Sequence, residues 1–215
     1  MKKILIRKYE GNDLEKILAL HRNTFFLVDG KNDNCYADSL DGFKRNLNSR
    51  RVFVVYYDKG VVGFAGYNFI KDNQLKKSLQ NSVDWAVNIM RNSSLDLKLL
   101  ELMKTRKKEL CKGQILVEVY SNKITRKGIK INNNDMYFSE IAVDPEFRGR
   151  GIGKMLAKKR IGVAKKSECS AIYVSCWEGG YISKLYEKLG FLPIIKAGPR
   201  YKDGNAEKVM CKLLD

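Results

Sequence analysis

The stretch SEIAVDPEFRGRGIGKMLAKKR, residues 139–160, contains the pattern that decides the fold. Apolar and polar residues alternate up to Val143, which predicts a β-strand. Pro145 then helps to end this strand, because proline cannot donate a hydrogen bond to a strand ladder. Apolar residues at helical spacing follow and predict a helix over about 151–166. Three glycines at this junction allow close approach of the backbone to a ligand: Gly149, Gly151 and Gly153.

A strand-to-helix junction of this kind is typical of an anion-binding site. The first N–H groups of a helix have no partner within the helix, and the helix dipole adds positive potential at the same end. Arg148 and Arg150 add guanidinium groups that match phosphate oxygens. A plain turn with solubilising arginines would explain the same residues. The stretch lacks the Walker signature and the Rossmann order of glycines, so those two nucleotide motifs are excluded.

Length and composition predict one folded domain over residues 1–215. Apolar residues make up 44% of the chain and aromatic residues 10%, which is enough for a core. No apolar run is long enough for a transmembrane helix, and the first residues do not resemble a signal peptide. The five scattered cysteines and the single histidine predict a reduced, cytoplasmic protein with buried thiols and no metal site.

The net charge of +17 favours anionic partners. The basic residues are spread along the whole chain, which favours a solvated surface for most of them. Neither a nucleic-acid motif nor a basic stripe is visible, so we do not expect a nucleic-acid partner. The positive electrostatic field of the protein would favour a polyphosphate ligand whether or not the basic residues are clustered.

Strands and helices alternate along the chain. A strand at 2–9 and a helix at 11–25, with Asn12 or Asp13 as its N-cap, come first. The pattern then predicts a weaker helix at 37–49, a β-hairpin at 51–70, a strand at 136–143, the helix at 151–166, a strand at 171–176, a helix at 180–189, and strands at 191–196 and 207–213. Residues 71–135 interrupt this order and form a predicted insertion. They contain predicted helices at 74–91 and 94–111, a strand at 114–120 and a polar loop to 135.

Two segments in the second half carry a family resemblance. IAVDPEFRGRGIGKML resembles the acetyl-coenzyme A pyrophosphate motif of the GNAT superfamily of N-acetyltransferases, and YISKLYEKLGF resembles the next helix of that family. The resemblance is sharp over 136–195, fair over 3–70 and absent over 71–135. It implies an α/β fold of the α+β type, with a mostly antiparallel, twisted sheet and flanking helices. The parallel strands 136–143 and 171–176 would splay apart to admit the cofactor.

The resemblance also implies roles for single residues. The backbone of Ile141, Ala142 and Val143 would pair with the pantetheine arm of acetyl-coenzyme A (acetyl-CoA). The N–H groups that would hold its pyrophosphate belong to Arg148, Gly149, Arg150, Gly151, Ile152, Gly153 and Lys154. Tyr186 would protonate the departing thiolate, and its alternative is a half-buried aromatic residue on an amphipathic helix.

An amine must be neutral to attack a thioester, so a general base is useful. Glu140 is the first candidate because it lies on the strand that would line the cleft, although it could equally face solvent. The weaker candidates are Glu118, Asp135 and Tyr137. His21 is expected to be partly exposed rather than catalytic.

The acceptor is less well defined by the sequence. Gly179 stands where many family members have asparagine, and IYVSCW lacks the acid that ribosomal-protein N-acetyltransferases often carry. The tail RYKDGNAEKVM faintly resembles their ending. The first hypothesis is therefore transfer to a primary amine of a small molecule, with a protein N-terminus or lysine as the alternative. A non-catalytic module for acyl-CoA or nucleic acid ranks third. We expect the insertion to form a helical hairpin that either caps the cleft or makes a homodimer contact. No membrane partner is expected.

Overall fold

The computed structural model describes residues 4–25, 43–44, 46–58, 60–71, 116–119, 131–177, 180–198 and 207–214. In chain order the main elements are β1 (Ile4–Lys8), α1 (Leu14–Phe25), β2 (Val52–Tyr57), β3 (Gly60–Phe69), β4 (Leu116–Val119), β5 (Met136–Val143), α2 (Ile152–Lys166), β6 (Ala171–Trp177), α3 (Tyr181–Lys188), β7 (Leu192–Gly198) and β8 (Glu207–Leu213). Short 3₁₀ turns cover Gly11–Asp13 and Pro145–Phe147. Among the described helices, none is long and apolar enough to cross a membrane.

Every strand and helix predicted within the described residues is present. Strands 136–143 and 207–213 have the predicted bounds. The first helix begins three residues later than predicted, after a 3₁₀ turn, and the other ends differ by at most two residues. Residues 43–44 and 46–48 are helical, as the prediction for 37–49 requires. The predicted helices at 74–91 and 94–111 lie outside the described residues.

The chain divides into two compact units. The first consists of Met1–Asn68 and Met136–Glu168, and the second of Phe69–Asp135 and Cys169–Asp215. In the first unit, β1, β2, β3 and β5 are neighbours in that order, and β1–β2 and β2–β3 are antiparallel. In the second, the order is β6, β8, β7 and β4, and each pairing is antiparallel.

Helices cover both faces of β2. Val52 and Val54 pack in a cluster with residues of α1, including Ile17. Phe53 instead lies under Lys159 of α2, whose Nζ is 6.0 Å from the ring centroid. Successive strand residues point to opposite faces, so α1 and α2 lie on opposite sides of this part of the sheet. This arrangement explains why the run VFVV is apolar throughout instead of alternating.

His21 is buried in the first unit, so the expectation that it is partly exposed is wrong. Its ring lies 4.8 Å from that of Phe25 and 4.7 Å from that of Phe43, measured between centroids. His21 follows Ile17 by one helical turn, and both residues therefore share the buried face of α1. The polar character of the side chain was a poorer guide than its position on the helix.

Asp13 forms a buried ion pair at the start of α1. Its two carboxylate oxygens each accept a hydrogen bond of 2.9 Å from the guanidinium of Arg7, and the hydroxyl of Tyr56 also donates to it. The Glu10 N–H donates to Asp13 Oδ2 at 2.9 Å. The predicted N-cap, Asn12 or Asp13, is wrong, because Glu10 is the N-cap of the 3₁₀ turn and Asp13 is its third residue. Asp13 instead closes this turn and ties it to β1 and β2. Burial raises the pKa of this carboxyl, yet the hydrogen bonds and the Arg7 charge outweigh burial and lower the pKa overall.

Asp13→Asn should lower the free energy of unfolding by about 2 kcal/mol near neutral pH, because the charged acceptor is lost. A depressed folded pKa means that the carboxylate stabilises the fold above its unfolded pKa of about 4. This contribution is lost as the pH falls through the folded pKa. Urea unfolding at a series of pH values should show the wild type and variant converging at the acid end. Glu15→Gln, an exposed change on α1, serves as control. A stability gap that is independent of pH would contradict this account.

The second unit has its own buried carboxylate and buried thiols. Asp135 Oδ1 accepts hydrogen bonds from the Ser170 hydroxyl at 2.7 Å and the Ala171 N–H at 3.0 Å. Burial raises the pKa of the Cys176 thiol to about 11 and that of Cys211 to about 12. Both thiols, like that of Cys169, are free and buried, as the sequence predicts. Cys35 and Cys111 lie outside the described residues.

Candidate active site

The glycine-rich segment forms a turn followed directly by a helix start. The Asp144 carboxylate accepts a hydrogen bond of 3.0 Å from the Glu146 N–H, and α2 begins immediately after Gly151. Gly149 and Gly151 have φ angles of +76° and +78°. Residues with a side chain disfavour this left-handed region, so the backbone here requires glycine.

The space beside these two glycines is open. A Cβ atom on Gly149 or Gly151 would meet no described atom within 4 Å. The first hydrogen bond of the helix runs from the Met155 N–H to the Gly151 carbonyl at 3.0 Å. The N–H groups of the three residues between them therefore have no partner inside α2. The predicted anion site thus combines open space, unpaired helix-end donors and the positive end of the helix dipole.

Two exposed arginines flank the opening. Arg148 Nε donates to the Val143 carbonyl at 3.0 Å, which keeps this side chain at the end of β5. The Arg150 guanidinium lies 5.0 Å from the ring centroid of Phe147 and 5.7 Å from that of Tyr57. Contacts of this type orient a guanidinium without neutralising its charge. Both predicted arginines are therefore located at the mouth of the glycine-rich turn.

A glycine in β3 sets the position of this turn. A Cβ on Gly63 would lie 3.0 Å from the Ala142 carbonyl oxygen and 3.4 Å from Cγ2 of Ile152. The Asp144 N–H also donates to the Val62 carbonyl at 2.9 Å. β3 therefore packs closely against both the end of β5 and the first residue of α2. A glycine inside a strand often marks such a close approach, and this signal was available in the sequence.

Side-chain alternation slips once in β5, next to Glu140. Phe138 faces α2, where the guanidinium carbon of Arg160 lies 4.0 Å from the ring centroid, whereas Ala142 packs in the cluster that contains Ile17. Residues four apart on a regular strand point to the same face. One extra residue must therefore lie between them, as in a β-bulge, which redirects neighbouring side chains. Glu140 lies in this interval and is half-buried.

Arg160 joins the strands at this irregular point. It is fully buried, and its Nη1 donates to the Gly66 carbonyl at 2.9 Å and to the Ser139 carbonyl at 3.4 Å. These bonds satisfy backbone acceptors where the regular ladder is disturbed. The sequence showed Arg160 only as one more basic residue of a lysine-rich helix, and nothing in that pattern distinguishes it.

Tyr186 lies in the second unit, whereas Glu140 and the predicted cofactor-binding residues lie in the first. It is 1% exposed, and its ring centroid is 5.1 Å from that of Phe191. The Phe191 N–H donates to the Tyr186 carbonyl at 3.0 Å, across the turn at Gly190, where φ is +83°. Tyr186 is therefore more buried than the half-buried aromatic residue of the alternative interpretation.

The weaker base candidates differ in their surroundings. The Asp135 carboxylate accepts hydrogen bonds from the Asn132, Ser170 and Ala171 N–H groups. It therefore joins the turn before β5 to the start of β6. Tyr137 is half-buried on β5, and Glu118 lies on β4. The described residues contain no group of three or more histidine, cysteine or acidic side chains that could hold a metal ion.

A sequence model of the Acetyltransferase (GNAT) family matches residues 115–191. The match contains the glycine-rich turn, Glu140 and Tyr186. It starts inside the segment predicted as an insertion, so β4 belongs to the matched range. No curated protein has a significantly similar sequence.

Solved structures resemble the chain over nearly its whole length. An N-acetyltransferase from Staphylococcus aureus Mu50 has a TM-score of 0.59 and 15% identity, with 99% of each chain covered. The PaiA N-acetyltransferase from Thermoplasma acidophilum, in complex with coenzyme A, has a TM-score of 0.55 and 13% identity, again with 99% of each chain covered. The ribosomal-protein-alanine N-acetyltransferase from Brucella melitensis has a TM-score of 0.54 and 16% identity, covering 98% of this chain and 99% of its own.

These identities are low, so the likeness concerns the fold. It confirms the predicted fold class, an α/β fold of the α+β type with a mostly antiparallel sheet and flanking helices. The sequence match adds the segment in which the glycine-rich turn lies. The chain is therefore similar in sequence to the Acetyltransferase (GNAT) family over residues 115–191, and it shares the fold of solved N-acetyltransferases over nearly its full length.

Proposed function

We propose that this protein transfers an acetyl group from acetyl-CoA to a primary amine of a small molecule. The observation that carries this proposal is the open, positively charged turn at Gly149–Gly151, where glycines in the left-handed conformation precede a helix N-terminus. A pyrophosphate fits such a turn because it has both the charge and the acceptor oxygens that helix-end N–H groups require.

Acetyl-CoA would be held by two adjacent segments of the first unit. The N–H groups from Arg148 to Lys154 would bind the pyrophosphate, and the backbone of Ile141–Val143 would pair with the pantetheine arm as an added strand. The close packing of Gly63 on Ala142 and Ile152 supports this division, because it holds the strand end and the helix start in one arrangement. Arg148 and Arg150 would add charge at the mouth of the turn.

The reaction places modest demands on the remaining residues. The neutral amine nitrogen attacks the thioester carbonyl carbon, and the carbon–sulfur bond then breaks. Glu140 takes the proton that the amine loses, directly or through water, and Tyr186 gives a proton to the coenzyme A thiolate. A backbone N–H stabilises the oxyanion formed between these steps. The redirected side chain of Glu140 in the irregular part of β5 supports its role as base.

The acceptor class rests on the sequence. The absence of an acid in IYVSCW favours a small amine over the ribosomal-protein type of acceptor. The alternative is a protein N-terminus or lysine side chain. Solved proteins of the same fold include a ribosomal-protein-alanine N-acetyltransferase. The fold is therefore also compatible with a protein acceptor.

Release of free coenzyme A thiol tests the proposal directly. We expect thiol release from acetyl-CoA with at least one amine from a panel of small amines, and little with N-terminal peptides or lysine peptides. Mass spectrometry of the product should show addition of one acetyl group. Thiol release with peptides alone would transfer the function to the alternative acceptor class. A lack of thiol release with every amine and peptide, despite acetyl-CoA binding, would favour a non-catalytic acyl-CoA module.

A further inference from the structure

Asn46 is a buried polar residue on the helical turn before β2, with 4% of its surface exposed. Its Nδ2 donates to Oγ of Ser139 at 3.1 Å and to Oε2 of Glu140 at 3.4 Å. A buried amide is costly unless it is hydrogen-bonded. Both of these acceptors lie in the irregular part of β5, although β5 is distant from Asn46 in sequence.

The backbone of Asn46 is fixed by the same turn. Its carbonyl accepts hydrogen bonds of 3.1 Å from the Ser49 hydroxyl and 3.1 Å from the Arg51 N–H. The amide group therefore extends from an anchored backbone through only two side-chain torsions. Because this donor has little conformational freedom left to lose, forming the hydrogen bond costs little entropy. The bond therefore restricts the orientation of the Glu140 carboxylate.

Gly66 provides the space in which these groups meet. A Cβ at this position would lie 2.5 Å from Ser139 Oγ, 3.6 Å from Asn46 Nδ2 and 3.7 Å from Glu140 Oε2. The three polar atoms thus converge on one point beside β3, which any larger residue would occupy. Arg160 holds the carbonyls of Gly66 and Ser139 in the same region. The surroundings of Glu140 are therefore built by four separate parts of the first unit.

We propose that Asn46 is a positioning residue for Glu140. Its hydrogen bond to Oε2 holds the carboxylate in one orientation, and Oε1 is then the oxygen that takes the proton of the acceptor amine. The inference rests on the proposed function, in which Glu140 is the base. Correct orientation matters because displacement of a catalytic group by about 1 Å can reduce a rate by about 100-fold.

The direct test is Asn46→Asp, which keeps the shape but replaces the donor with an acceptor that repels the Glu140 carboxylate. We expect kcat to fall by about 10- to 100-fold, whereas KM for acetyl-CoA stays within about twofold because the glycine-rich turn is untouched. Asn48→Asp is a matched control, since it makes the same change on an exposed residue of the same turn. Asn46→Ser, which is uncharged but too short to reach Glu140, should also lower kcat and carries the test if the aspartate variant does not fold.

A double-mutant cycle with Glu140→Gln separates positioning from a general structural effect. If Asn46 acts through Glu140, Asn46→Asp should cause no further loss of kcat in the Glu140→Gln background. Losses that multiply, or wild-type kcat in both folded Asn46 variants, would overturn the inference. Wild-type kcat in Glu140→Gln would overturn it too and would remove Glu140 as base. Acetyl transfer itself, measured by thiol release, would still stand in that case.

Discussion

Replacing Gly151 with aspartate should abolish the binding of acetyl-CoA. The substitution places a side chain in the open space beside the helix start and puts a negative charge where the pyrophosphate is proposed to lie. Like charges brought together in a binding site cost several kcal/mol, so the affinity should fall by about 100-fold or more. Isothermal titration calorimetry measures this change directly. Acetyl-CoA should also raise the melting temperature of the wild type but not of the variant, since a ligand of the native state stabilises it.

Two controls separate charge from backbone strain. Gly151→Ala introduces a Cβ at a φ of +78°, which costs about 1–2 kcal/mol, but it adds no charge. We expect a modest loss of affinity in that variant. Gly162→Asp adds the same charge further along α2, where a Cβ would meet no described atom within 4 Å, and should bind acetyl-CoA normally. Normal binding by Gly151→Asp would refute the site.

Tyr186→Phe should lower kcat by about 100-fold while leaving the affinity for acetyl-CoA unchanged. The substitution keeps the ring, and with it the packing on Phe191 at 5.1 Å, and removes the hydroxyl that would protonate the thiolate. Steady-state kinetics at saturating substrates gives kcat, and calorimetry gives the affinity. A rate limited by the leaving group should recover partly with an acyl donor whose thiol is more acidic, because such a thiolate needs less help to depart.

Tyr181→Phe is the matched control for this experiment. Tyr181 is the first residue of the same helix and is 76% exposed, so loss of its hydroxyl should change neither kcat nor stability. Thermal unfolding of Tyr186→Phe shows whether the fold is retained. A folded Tyr186→Phe protein with wild-type kcat would make Tyr186 a core residue of α3 and exclude it as the acid.

The glycine-rich turn could be predicted because its chemistry is local. The strand end at Val143, the glycines that follow and the helix start at Ile152 are close in sequence, and each has a strong conformational preference. The same reasoning applies to the hairpin of β2 and β3 and to the turn at Gly190. The Asp13 ion pair was not predicted. Its place at a helix start was visible, but its partners come from two strands.

The surroundings of Glu140 could not be predicted, because they are assembled from distant segments. Asn46 and Glu140 are 94 positions apart, and so are Gly66 and Arg160, which hydrogen-bond each other. None of these residues belongs to a local motif. The irregularity in side-chain alternation in β5 could not be predicted either, because the apolar pattern of MYFSEIAV predicts a regular strand. His21 was misjudged for a related reason, because its burial depends on Phe43, which packs against α1.

By itself, the sequence determined the order of the described strands and helices, the glycine-rich turn and the family that this segment resembles. Those features depend on φ preferences, hydrogen-bond donors and periodicity within short windows, and such properties are retained in any fold that contains the segment. Only the tertiary structure decided which polar groups surround Glu140 and which carboxylates join separate segments by hydrogen bonds. Burial and hydrogen-bond partners arise between segments far apart in the chain, so no local pattern encodes them.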